Sequence, residues 1–215
     1  RVWRVAPSLK FAQVPKARVL LHMVAPAKAY YQAPGNAVLA RLMACTVLAD
    51  LNDYLYDASC AGCGYELEVT TTGLVLGVSG FESQVPALVS AILTRLRQVL
   101  KATMPATNAE GAEGGELKGA GEVDKLRSLF ETQRELLLVD LQNTELESPY
   151  GQAAYWIRQV MESEAWHVSE YMEVLADPEL ATLEAAALSL GALLKAAKLE
   201  VLVTENAPSR KKSKG

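Results

Sequence analysis

Residues 57–69 read DASCAGCGYELEV, and within that run Cys60 and Cys63 form a C-x-x-C pair. Such a pair can be a redox dithiol, half of a zinc site, or part of a turn. A reactive dithiol of the thioredoxin kind sits at a helix N-terminus, where free amides and the helix dipole stabilise a thiolate. Here the pair follows a helical pattern and precedes a strand pattern, so the dipole has the wrong sign. Gly62 and Gly64 suit a helix stop that lets the chain turn left-handed into the strand. Structural zinc needs four ligands, and no second C-x-x-C exists. Cys45 and His22 would complete a set only by tertiary coincidence. The spacing favours a structural corner, with metal and redox chemistry as the alternatives. Thiol titration tests the redox reading, since both thiols near the ordinary ~8.5 would remove it.

The chain holds two histidines, His22 and His167. His22 falls in a strand pattern and is expected to be a partly buried or edge residue. His167 heads HVSEY, one residue short of the inverted zincin motif H-x-x-E-H. Tyr171 stands where the second histidine belongs, and a zinc ion held by one imidazole would be weak and unselective. There is no G-x-S-x-G elbow, no Walker loop and no G-x-G-x-x-G. Glu66 and Glu68 share the wet face of a strand, the usual place for solvated charge. Tyr155, Trp156, Trp166 and Tyr171 fall at helical apolar positions and are expected in the core. Nothing assembles a nucleophile, a base and an oxyanion hole, so no catalytic, cofactor-binding or metal-binding residue is assigned.

The elements that would position these residues are legible as patterns. KARVLLHMVA, residues 16–25, reads as a strand with Val19, Leu21 and Met23 on one face. Leu20 and Val24 on the other face suggest cover on both sides. After Pro34-Gly35-Asn36, a helix is expected over about 37–58, with Leu39, Leu42, Met43, Leu51, Tyr54 and Leu55 at helical spacing. Tyr65, Leu67 and Val69 alternate with Glu66, Glu68 and Thr70, and Leu74, Leu76 and Val78 continue after a Thr72-Gly73 turn, which makes a hairpin. Ser83 and Pro86 open an amphipathic helix bearing Val89, Ile92, Leu93, Leu96, Val99 and Leu100 on one stripe. Residues 104–121 are rich in Gly, Ala and Glu with little to bury, so a flexible loop is expected. Helices are then expected over roughly 122–143, 149–162 opening at Ser148-Pro149, and 168–176. A last one starts at an Asp177-Pro178 cap and runs to about Lys198. KLEVLVTEN closes the chain as a strand with Leu199, Val201 and Val203 on one face. The order implies an α+β fold, a mostly antiparallel sheet with helices on one face.

At 215 residues, half of them apolar and 21% charged, the chain can bury a sizeable core. A net charge of −4 argues against a nucleic-acid surface. The basic tail SRKKSKG reads as a disordered end over 207–215. No apolar run reaches the ~20 residues of a membrane helix. The opening RVWRVAPSLKF lacks an initiator Met and a signal-peptide layout, as in a piece of something longer. Three cysteines without an extracellular signal favour a reducing compartment, the cytoplasm or an organelle.

Several stretches together resemble the third homologous domain of the insulinase/pitrilysin family of inverted zincin metallopeptidases. They are WRVAPSLKFAQVPKARVLLHMVAP, LNDYLYDASCAGCGYELEVTTTGLVLGVSGF, ESPYGQAAYWIRQVMESEAWHVSEYMEVLADPEL and LEVLVTEN. Glu205 stands where the family's terminal strand usually carries Gly. The resemblance covers nearly the whole chain apart from the 104–121 loop and the tail. It implies that Ala61, Gly62, Gly64 and Tyr65 form a structural corner and that the cysteines are local substitutions. It also implies four homologous domains closing around a peptide chamber, with zinc and the catalytic glutamate in the first domain. The matching helix here, Asn36 to Asp50, has neither His nor Glu. The resemblance therefore implies one inactive domain over 1–206, with no cofactor of its own and zinc in the catalytic domain of the parent. Its partners would be sister domains of the same polypeptide and the enclosed peptide, with neither nucleic acid nor membrane. A stand-alone scaffold module that has lost peptidase chemistry is the alternative, and a small redox or metal protein using Cys60 and Cys63 is the third reading.

Overall fold

The computed structural model describes residues 15–26, 31–104, 120–162 and 165–205. Residues 1–14, most of the 104–121 loop and the 207–215 tail lie outside them. The first strand, β1 (Lys16–Val24), is followed by α1 (Pro34–Tyr54) and the one-turn α2 (Tyr56–Cys60). The hairpin β2 (Gly64–Thr70) and β3 (Gly73–Phe81) leads to α3 (Val85–Thr103). Then come α4 (Ala120–Asn143), a 3-10 turn (Thr144–Leu146), α5 (Pro149–Met161), α6 (Val168–Ala176), α7 (Leu183–Ala196) and β4 (Lys198–Glu205).

All strand pairs are antiparallel, in the order β2-β3-β1-β4. Register makes the sheet two-faced. Leu67, Leu76 and Leu21 line up across three strands, as do Tyr65, Val78 and Val19. Their face meets the helices, in the α+β arrangement the patterns imply. Glu66 and Glu68 point to the open face, as expected of charges at alternate positions. Leu20 and Val24 share that open face half-buried and outside the core cluster, so the double cover expected for β1 is not formed among the described residues.

α1 is the hub. It packs against α4, α6 and α7 as well as β2, which explains why its sequence is apolar on nearly every side. Val38, Leu42, Met43, Val47 and Leu51 are all buried. The helix begins at Pro34 rather than 37, because proline's fixed φ suits the first turn. It breaks at Leu55 instead of running to 58, and Tyr54, expected on the inner stripe, is exposed.

Other boundaries moved for local reasons. Gln84, not Ser83, precedes α3, with no side-chain cap, and Leu93 lies at the outer edge of the stripe. Asp177 closes only a tight turn by accepting from the Glu179 amide; α7 starts later, where Thr182 accepts from the Ala185 amide. Ser148 does cap α5 as expected, accepting from Gly151.

Candidate functional site

The C-x-x-C corner is built as the spacing suggests. The chain leaves α2 through Gly62 at φ +83, the left-handed step that glycine makes without strain. Gly64 differs from expectation: it is ordinary extended strand, and its lack of a side chain leaves room for the Ser79 hydroxyl. The Cys60 and Cys63 thiols are free, the first exposed and the second buried beside Gly80. The pair stands at the C-terminal end of its helix, the negative end of the helix dipole, which does not favour a thiolate. Cys45 lies apart on α1, and burial pushes its thiol pKa up, away from thiolate chemistry. Cys60→Ser should therefore change stability by less than about 0.5 kcal/mol, whereas Cys63→Ser, which buries a hydroxyl, should cost about 1–2 kcal/mol in urea unfolding. Fast and equal labelling of both thiols by a disulfide reagent would contradict this corner.

The histidines do structural work in separate places. His22 sits on the open sheet face, its Nε2 3.2 Å from the Thr72 hydroxyl. His167 is the N-cap of α6: its Nδ1 accepts from the Ser169 amide while Glu170 accepts from the His167 amide, a capping box. The Glu of HVSEY is thus spent on a helix end. Tyr171 instead turns inward, its hydroxyl 2.8 Å from that of Tyr31. Burial and that bond raise its pKa well above the ordinary tyrosine value. Among the described residues no group of three or more His, Cys, Asp or Glu could hold a metal ion.

The aromatic residues divide unexpectedly. Tyr171 packs on the core and Trp166 donates its indole N–H to the Tyr31 carbonyl. The Tyr155 hydroxyl accepts from the Val168 amide. Trp156, expected in the core, is instead mostly exposed, and α5 carries no buried residue at all. The α5 surface was missed because periodicity reveals a stripe but not which way it faces.

One charged cluster also escaped the sequence reading. Arg95 on α3 grips both carboxylate oxygens of Asp50 on α1, at 2.7 and 3.0 Å, and reaches Glu122 on α4 at 2.6 Å. These bonds hold the guanidinium charged, its pKa raised further above the arginine norm. Arg95 lies 45 positions from Asp50 and 27 from Glu122, separations that leave no local signature, so only the fold brings the three together.

With this architecture in place, comparison with known proteins is decisive at family level. Residues 1–174 match the family model described as the middle or third domain of peptidase_M16, and the chain belongs to that family. It is similar to insulin-degrading enzyme from Homo sapiens, 31% identical over 135 residues, covering 63% of this chain and 11% of that protein. Insulin-degrading enzyme-like 2 from Arabidopsis thaliana is 25% identical over 179 residues, 83% of this chain and 16% of that protein. Among solved structures, pitrilysin superposes with a TM-score of 0.69 at 20% identity, over 94% of this chain and 18% of its own. The chain therefore spans less than a fifth of the length of each of these relatives.

Proposed function

We propose that the chain is a non-catalytic domain, over residues 1–206, of an M16 zinc metalloendopeptidase, where it helps to frame a chamber around a peptide. The observation that carries this reading is the content of α1. The resemblance puts zinc ligands and the catalytic glutamate in the first long helix of the first domain. The matching helix Pro34–Tyr54 has neither His nor Glu, and Leu42, Met43 and Val47 fill its middle as packing. Water activation at zinc needs several metal ligands and a nearby base, and the two histidines of this chain are engaged with Thr72 and Ser169. In this reading zinc belongs to another domain of the parent, and the partners are sister domains and the enclosed peptide. Free thiols at all three cysteines support a reducing compartment, the cytoplasm or an organelle.

The test is direct. The purified 23.2 kDa chain, stripped of metal and dialysed against zinc, should retain no stoichiometric zinc and cleave no peptide. Chelator-sensitive cleavage by homogeneous material of that mass would overturn the proposal.

A further inference from the structure

α5 is amphipathic, but it is mounted inside out. The residues that tie it to the rest of the chain are polar or aromatic with a polar tip. Gln152 donates to the Thr144 carbonyl at 2.6 Å and Gln159 to the Trp166 carbonyl at 3.0 Å, with Tyr155 between them on the same side, its hydroxyl bonded to the Val168 amide. Their spacing of three and four places them on one side of the helix. The apolar stripe runs along the opposite side, through Tyr150, Ala153, Ala154, Ile157, Val160 and Met161. Val160 is 85% and Met161 80% exposed. Between the stripe and its Arg158 and Glu162 rim lies an open depression of about 590 Å³. A surface helix normally buries its apolar stripe, and the reversal leaves a contiguous apolar face that marks an interaction site.

We propose that this outward face of α5 seats an apolar helix face carried by another domain of the same polypeptide. The inference rests on the middle-domain reading above and adds the surface through which that domain is held. Four arguments select this occupant. The family description is of a middle or third domain, and the relatives are at least five times longer than the share this chain matches, so further folded mass is available. The stripe extends about 17 Å, the rise across the twelve residues from Tyr150 to Met161, a length suited to ridge-into-groove packing by a second helix. An extended peptide would instead seek unpaired strand edges, because backbone hydrogen bonds give it most of its affinity. A lipid surface calls for a basic polar flank, and this helix offers one arginine beside one glutamate.

The experiment compares amide exchange across α5 in the 215-residue chain and in the full product of its gene. Exchange in α5 should be at least about tenfold slower in the full product. The Ile157→Asp/Met161→Asp variant should abolish that protection in the full product and leave the melting of the shorter chain unchanged. Equal exchange in both proteins would overturn the docking assignment while leaving the non-catalytic reading standing. So would concentration-dependent dimerisation of the shorter chain that the variant abolishes, which assigns the face to a second copy. Protection that arises only when a peptide substrate is added would likewise reassign it to substrate. A gene product with no further domain would sink both the docking assignment and the reading it rests on.

Discussion

Asp50→Ala is expected to lower the unfolding free energy by about 3 kcal/mol, the cost of removing the bidentate partner of a largely buried guanidinium and leaving it Glu122 alone. Asp50 exposes 2% of its side chain and Arg95 13%, so solvent replaces the lost carboxylate only poorly. Glu122 remains, but it holds Arg95 from the more exposed end. The Tyr54 ring, 5.8 Å from the guanidinium carbon, adds only a modest cation–π attraction. For a chain of this size the loss corresponds to a fall in Tm of about 10 °C. Arg95→Leu alone should also be costly, since Asp50 is then stranded. The Asp50→Ala/Arg95→Leu pair removes both charges and should recover at least about 1 kcal/mol relative to the sum of the single changes. Urea unfolding of the three variants checks this. Strict additivity would mean that the ion pair does not couple α1 to α3 as the geometry indicates.

That network shows what the sequence withheld. The hairpin was readable because alternation of period two fixes both the strand and its wet face, and Glu66 and Glu68 lie where the pattern puts them. The corner at Gly62 was readable because a left-handed step has a residue preference. Apolarity is a weaker guide, because it says that a side chain prefers cover without saying what supplies it. Leu199, Val201 and Val203 form the expected face of β4, in register with Met23, Leu21 and Val19 of β1. Yet all three are more than half exposed on that edge strand. Trp156 and the stripe of α5 are the same case. For both elements the pattern is correct, and the described residues supply no cover for it. The Asp177-Pro178 start failed differently: the side chain does cap a backbone amide, but of a turn that α7 does not continue.

Gly73 offers the second large effect, and a comparison with Gly62 separates its causes. Both have positive φ, +83 at Gly62 and +142 at Gly73, so alanine is strained at either. At Gly62 a new Cβ meets nothing within 4 Å, and Gly62→Ala should cost only the backbone term, about 1–2 kcal/mol. At Gly73 the same Cβ would drive into the carbonyl oxygen of Met23, on the neighbouring strand. That oxygen belongs to backbone held in the β1–β3 ladder and cannot swing aside as a side-chain tip would. Gly73 also pairs with both Thr70 and Val24, where three strands meet at the hairpin's turn. Gly73→Ala should therefore cost about 3–4 kcal/mol, combining backbone strain with a shift of β1. Denaturant midpoints of the two variants decide the matter. Equal losses would show that β1 yields freely at Met23, and with it that the centre of the sheet is softer than its register implies.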